Sequence, residues 1–402
     1  MRFVPLPTDR SKTLKMLPLF RRSLLAAAIA AGLGLDNVAS AQSIDTAARQ
    51  AIITDFDTGT VMMEKNADEL MVPSSMSKLM TVFMVFEKLK SGAWKPDDAL
   101  PVSETAWKRH YKSEGSMMFL PVNSTATVDE LLKGVVIQSG NDACSVLAEA
   151  HSGSEEAFAE AMTRRARQIG LTRSTFRNAS GWPEPDHMMT ARDLSVLARH
   201  LIADFPDYYP LFSQMEFVFN GIRQGNRNPL LYGTPGADGL KTGHTQAAGF
   251  GLTASIKRGD RRIIMVLNGL GSMQQRADES RRLAEWAFRE WDRYPLFRAG
   301  EVVVPDAPVW MGEARTITLA AKSDLAVTLP RRARADMKVS VVFNGPIPAP
   351  IKAGTEIGKV VVTAPGLSAL EMPLVAVADV PRLGFGGRLV ETIRSFFSGS
   401  QR

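Results

Sequence analysis

A hydroxyl and an amine stand three residues apart in Ser75-Met76-Ser77-Lys78, a spacing that on a helix sets them one turn apart. At that separation an unprotonated amine can take the hydroxyl proton while the oxygen attacks a carbonyl. The amine must be neutral to act, which requires desolvation and a second cation beside it. Two further segments carry complementary groups: Ser139-Gly140-Asn141, and Lys241-Thr242-Gly243-His244 preceded by Asp238-Gly239. Ser139 offers a hydroxyl for relaying a proton to a leaving amine, and Asn141 an amide that can hold a substrate amide. Lys241 is the second cation. Thr242 can bind a substrate carboxylate, and Gly243 lets a substrate backbone lie close along a strand edge. Together these groups predict acyl transfer through a serine ester, on a substrate that ends in a free carboxylate.

The elements that must position them follow from periodicity. Apolar residues over 49–55 give way to Asp57-Thr58-Gly59 and return over 61–64, the pattern of a β-hairpin. Beyond Pro73, Leu79, Val82, Phe83, Phe86 and Leu89 recur at helical spacing, so Ser75 is expected at a helix N-terminus, where backbone N–H groups can face an oxyanion. Further helices are expected over 128–137, 142–150, 155–169, 191–203 and 277–291. Strands return at 249–257 and 261–270, joined by Arg258-Gly259-Asp260. Strands from both ends thus enclose a helical insert, which predicts an α/β (α+β) domain over 42–295 with a largely antiparallel sheet. From 298 to 380 short Val/Ile/Thr-rich segments at 301–304, 314–319, 339–343, 358–362 and 371–377, spaced by Pro and Gly, predict a small all-β domain. Over 383–402, Leu389, Val390, Ile393, Phe396 and Phe397 share one helical side, away from Arg388, Glu391 and Arg394.

Composition narrows the classes. At 402 residues, 45% hydrophobic and 22% charged, the chain lies outside the disordered range and can bury more than one core. Residues 1–41 read as a secretory signal: a basic stretch ending in Arg21-Arg22, an apolar run, then Ala39-Ser40-Ala41. The apolar run, about 12 residues, is too short to span a bilayer. This segment holds six Lys/Arg and two Asp/Glu, so the net charge of +6 falls to +2 once it is removed. The basic balance therefore carries no argument for nucleic acid. A single cysteine, Cys144, allows no intrachain disulfide, and its place after the second motif predicts a small buried hydrophobe. Five histidines and one cysteine without His-x-x-x-His or Cys-x-x-Cys spacing argue against a zinc site.

The three motifs are those of class A β-lactamases and penicillin-binding proteins. Over residues 48–292, and on through the β-rich tail to the terminal helix, the chain resembles the low-molecular-mass D-alanyl-D-alanine carboxypeptidases of the penicillin-binding type. That resemblance implies Ser75 as nucleophile, Lys78 as acylation base, Ser139 and Asn141 as the second motif, and Lys241, Thr242 and Gly243 as the third. It also implies a carboxylate-binding role for Arg276 and a part in deacylation for His244, with the N–H groups of Ser75 and His244 as the oxyanion hole. The implied substrates are peptidoglycan stem peptides, with β-lactam antibiotics as covalent inhibitors, no cofactor and no metal. The implied location is periplasmic, with the terminal helix on the outer face of the cytoplasmic membrane and the β domain as a spacer. No Glu-x-x-Leu-Asn segment is present, so water activation falls to the Lys/Ser/His set rather than to a glutamate.

Alternatives remain open at this level. A β-lactamase or an endopeptidase cutting cross-links would share the fold, and a non-catalytic envelope-binding scaffold would keep it without the reaction. His187, in a Gly/Pro-rich loop, is expected as a structural hydrogen-bonder, and Trp286 and Trp291 as core packing. The terminal helix could pack back on the β domain, but Pro381, Gly384 and Gly387 form a flexible link, and its apolar end favours a membrane surface. About 15 residues would hold there peripherally, since they cannot span the hydrocarbon.

Overall fold

The computed structural model describes residues 2–5 and 44–399. The signal segment expected over 1–41 lies outside the described residues apart from Arg2–Pro5, a short strand paired antiparallel with Lys338–Phe343. The chain divides into two compact units, Ser43–Trp291 and one built around Asp292–Arg402.

In the first unit five strands form an antiparallel sheet: β1 (Gln50–Asp55), β2 (Val61–Lys65), β3 (Ala237–Thr245), β4 (Gly249–Arg258) and β5 (Arg261–Leu270), in the order β2-β1-β5-β4-β3. Alternation along the strands feeds two cores. Ile52, Ile264 and Val266 face the helical insert, whereas Ala51, Ile53, Ile263, Met265 and Leu267 face the other side with Leu283, Ala284 and Ala287 of the last helix. That helix and the insert cover both faces, so the apolar runs 51–53 of β1 and 263–267 of β5 are buried on both sides, with Gln50, Asp55, Arg261, Arg262 and Asn268 toward the strand ends. The insert comprises α1 (Lys78–Lys90), α2 (Glu104–His110), α3 (Val128–Lys133), α4 (Asn141–Ser152), α5 (Glu155–Gln168) and α6 (Ala191–Asp204), and α7 (Met273–Glu290) closes the unit.

Three departures from the periodicity bear on the site. The helix expected over 128–137 is α3 followed by a wide π-turn, Gly134–Gln138, that leaves Ser139 in the left-handed region at φ 67°. A Cβ on Gly134 would lie 2.3 Å from the Met118 sulfur, so the glycine is where another segment presses on the turn. Helix α7 begins at Met273, ahead of the expected 277, because the Ser272 hydroxyl accepts from Gln275 N–H (3.0 Å) as an N-cap. Residues 292–295 join the second unit rather than the first: strand β6 (Trp291–Phe297), which begins on the last residue of the first unit, pairs with Leu325–Pro330.

The second unit is otherwise a sheet of seven strands, six of them from residues 302–376, over a core of Leu319, Val327, Leu329, Val360, Val362 and Leu374. It is followed by α8 (Phe385–Gly399), in which Phe385, Leu389 and Val390 are exposed. No helix among the described residues is long and apolar enough to cross a membrane.

Candidate active site

Ser75 sits on a 3-10 turn, Ser74–Ser77, that runs directly into α1, whose first residue is Lys78. The turn is pressed against edge strand β3, and the sequence permits this by pairing two glycines. Gly243 and Gly251 face each other across β3 and β4, and Cβ atoms there would come within 3.1 Å of Met76 Cγ and 2.6 Å of Met76 Cε. Met76 therefore lies in a groove that any side chain would fill, and it anchors the residue before it. Ser74 Oγ donates to Thr245 Oγ1 (3.2 Å) and ties the same turn to the end of β3.

Lys78 is fully buried, and its Nζ is held by three acceptors: Ser75 Oγ at 3.0 Å, Asn141 Oδ1 at 2.7 Å and the Ser180 carbonyl at 2.5 Å. Burial pushes the amine down to about 8, and the Arg227 guanidinium adds to the effect against the opposing Glu155 and Asp142 carboxylates. Lys241 is also buried and lies well below the ordinary lysine range, from burial first and then from the charges of Lys78 and Arg227. The second cation anticipated for Lys78 is thus present, but repulsion weighs on Lys241, and Arg227 is the cation that acts on Lys78. An amine near 8 that stands 3.0 Å from a serine hydroxyl can serve as a general base close to neutral pH, once it has lost the proton directed at Ser75 Oγ and its lone pair faces that hydroxyl instead.

Ser75 and Asn141, two of the Lys78 partners, line one cleft of about 490 Å³ together with Ser139, Thr242, Gly243, His244 and Arg276, while the Lys78 and Lys241 side chains are buried. Asn141 opens α4, and its N–H donates to Ser116 O (2.7 Å), while the Asp142 carboxylate accepts from Met118 N–H (2.9 Å) and Leu120 N–H (3.1 Å). The second motif and the 114–120 loop are therefore one piece. His244 is exposed and stacks on Phe250, its cross-strand partner, with ring centroids 3.9 Å apart. Arg276 reaches the cleft from the first turns of α7, over the Phe250 ring, and burial with the nearby Arg227 lowers its guanidinium to about 10.

The loop that begins at Trp182, expected over the cleft, lines it, whereas sequence reasoning missed two residues, Arg227 and Gly181. Arg227 lines the cleft, donates to Ser116 Oγ (2.6 Å) and accepts at its carbonyl from Arg276 (3.4 Å). It sits in a segment with no catalytic spacing, so no local signal marks it. Gly181 and Trp182 belong to a loop shaped by Asn178, whose Oδ1 accepts from Ser180 N–H (3.1 Å) and Gly181 N–H (2.8 Å). Gly181 has φ 74°, and a Cβ there would lie 2.0 Å from Ser74 O, so the loop closes on the Ser75 turn only as glycine. Asn178-Ala-Ser-Gly181 is a turn signal, and its glycine is the one clue a sequence offers.

Cys144 is buried, with its thiol pushed up to about 12 by burial, and is not among the residues that line this cleft. His187 is buried off the cleft, accepts from Arg177 N–H (3.2 Å) and packs edge-on against Phe176, with burial lowering it to about 4. Trp286 and Trp291 pack edge to face in the core behind the sheet.

The comparisons with known proteins agree with this geometry. Residues 37–271 match the family model described as D-alanyl-D-alanine carboxypeptidase, and residues 291–382 match the penicillin-binding protein 5 C-terminal domain. The D-alanyl-D-alanine carboxypeptidase DacC of Escherichia coli is 37% identical over 90% of this chain and 91% of its own length. Penicillin binding protein 5 from Haemophilus influenzae superposes with a TM-score of 0.77 at 32% identity, covering 84% of this chain and 99% of that one. Penicillin-Binding Protein D2 from Listeria monocytogenes, solved in its ampicillin-bound form, superposes with a TM-score of 0.55 at 27% identity over 61% of this chain and 99% of its own. The chain belongs to the D-alanyl-D-alanine carboxypeptidase family of serine peptidases.

Proposed function

We propose that this member of the D-alanyl-D-alanine carboxypeptidase family removes the terminal D-alanine of peptidoglycan stem pentapeptides through an ester on Ser75. The observation that carries the assignment of roles is the buried Lys78 amine, bonded at 3.0 Å to Ser75 Oγ and at 2.7 Å to Asn141, two residues that line the cleft. Ser75 Oγ attacks the penultimate D-alanyl carbonyl as Lys78 takes its proton. Backbone N–H groups of Ser75 and His244 receive the oxyanion. The C–N bond then breaks, with the proton relayed through Ser139 to the leaving amine, and D-alanine departs. Water attacks the ester in turn, activated by the same Lys78/Ser139 pair with His244 at the cleft rim. Specificity for a free terminal carboxylate rests on Thr242, Arg276 and Arg227, whose hydroxyl and two guanidinium groups line the cleft.

A β-lactam presents a strained amide beside a carboxylate and should acylate Ser75 in the same way. Fluorescent penicillin is expected to label the wild type and not Ser75→Ala, and the wild type should release D-alanine from a pentapeptide faster than it turns over a β-lactam. Equal labelling of Ser75→Ala would move the nucleophile elsewhere, and faster turnover of the β-lactam would make the protein a β-lactamase.

We further infer an exported protein held peripherally at the outer face of the cytoplasmic membrane. The 15 residues of α8 are too few to span a bilayer of about 30 Å, while exposed Phe385, Leu389 and Val390 suit its surface.

A further inference from the structure

Glu155 is a buried carboxylate that the acyl-transfer steps do not use, and it stands behind the loop that holds Lys78. It opens α5, which the Ser154 hydroxyl caps, and only 3% of its surface is exposed. Its Oε1 accepts from Ala179 N–H (3.0 Å), and its Oε2 accepts from Ser145 Oγ (2.7 Å) and pairs with Arg109 Nε at 3.3 Å. His110 Nε2 is 2.8 Å from the same Ser145 oxygen, which places its proton on Nε2, since the Ser145 hydroxyl proton is directed at Glu155.

Ala179 and Ser180 are thereby satisfied on every side. Ala179 N–H goes to Glu155, Ala179 O accepts from Thr81 Oγ1 (2.6 Å), Ser180 N–H goes to Asn178, and Ser180 O accepts from Lys78 Nζ. Thr81 and Lys78 lie on consecutive positions of one α1 face, so the helix carrying the base and the loop holding it are stitched at two adjacent carbonyls. Glu155 supplies the third stitch from α5.

We propose that Glu155 is a positioning residue for the acylation base: it fixes the Ala179–Ser180 peptides against Lys78 and, through its negative charge, sets how readily Lys78 gives up its proton. This rests on Ser75 and Lys78 forming the acyl-enzyme. The other charged or titratable groups around Lys78 are Cys144 and Asp142 on α4, Lys241 on β3, Arg227 and His187, and His110 on α2, which with Arg109 also faces Glu155. Among these, the Glu155 and Asp142 carboxylates favour the protonated amine, against Arg227 and burial, while the Cys144 thiol, pushed up to about 12, carries no charge near neutral pH.

Glu155→Gln keeps an oxygen for Ala179 N–H and removes the charge. Without that charge the protonated amine is less favoured, so the acid limb of Ser75 acylation should move to lower pH, by about half a unit or more for a charge acting through protein. Ser145→Ala keeps the charge and the Ala179 bond while cutting the link to His110, and its limb should stay where the wild type has it. Fluorescent-penicillin labelling rates of the full chain across pH, with circular dichroism to verify folding, read both. A limb unmoved in Glu155→Gln, or moved equally in Ser145→Ala, would overturn the inference while leaving the acyl-enzyme reading intact. A wild type that takes no label would overturn the acyl-enzyme reading itself, and this inference with it.

Discussion

If Lys78 is the acylation base, the rate at which Ser75 is labelled must follow the neutral fraction of one buried amine. Burial brings that amine to about 8, so roughly a tenth of it is unprotonated at pH 7 and about half at pH 8. The second-order labelling rate should therefore rise about ninefold from pH 6 to pH 7, about fivefold from pH 7 to pH 8, and less than about twofold beyond. A lysine at its ordinary value near 10.4 would be neutral in only about one molecule in 2,500 at pH 7, so the shift accounts for roughly 200-fold in rate. Because Lys78 and Lys241 repel each other, the observed midpoint belongs to the pair rather than to either amine. Arg227→Gln removes a cation that lowers both, so the midpoint should move to higher pH, with the rate at neutral pH falling and the alkaline plateau closer to wild type. Stopped-flow or timed gel labelling with fluorescent penicillin across about pH 5.5 to 9.5 measures this. A profile flat across that range, or an Arg227→Gln midpoint that does not move, would refute the assignment of the base.

Other outcomes follow from single contacts. Arg276→Gln should raise KM about 10- to 100-fold for a peptide ending in a free carboxylate, the loss of one charge-assisted contact, and much less for the C-terminal amide; equal effects on both would remove Arg276 from the carboxylate site. Gly181→Ala should lower stability by at least about 2 kcal/mol, because it adds a clash with Ser74 O to the left-handed strain. Gly153→Ala has the same backbone sign and nothing within 4 Å, so thermal denaturation should show it less affected, and an equal fall in both would mean that the loop does not close on the Ser75 turn as described. Deleting residues 383–402 should abolish co-sedimentation with anionic vesicles while leaving penicillin labelling intact; undiminished sedimentation would place the membrane contact elsewhere.

What could be read from the chain alone is whatever depends on neighbours within a few residues. Leu79, Val82, Phe83 and Phe86 recur at helical spacing, so α1 and the one-turn separation of Ser75 from Lys78 follow without coordinates. Arg258-Gly259-Asp260 announces the β4–β5 turn for the same reason. The three motifs were recognisable because each is a short run of chemically distinctive side chains. Where a local rule met a distant contact it gave way: Met118 presses on Gly134 where the end of a predicted helix is a π-turn, and pairing with Leu325–Pro330 drew residues 292–295 into the second unit.

The tertiary structure alone decided the state of the base. Lys78 meets Asn141 from 63 residues away and Ser180 from 102, and its proton affinity is set by burial and by Arg227, none of which leaves a periodic trace. Glu155 is equally silent in sequence, one acid among several at a helix start, until Ala179 and Ser145 close on it. Side-chain type and spacing determine which reactions a chain can attempt, because covalent geometry carries that information locally. Whether an amine is neutral at pH 7 depends on how much water and which charges surround it, and only the folded chain brings those together.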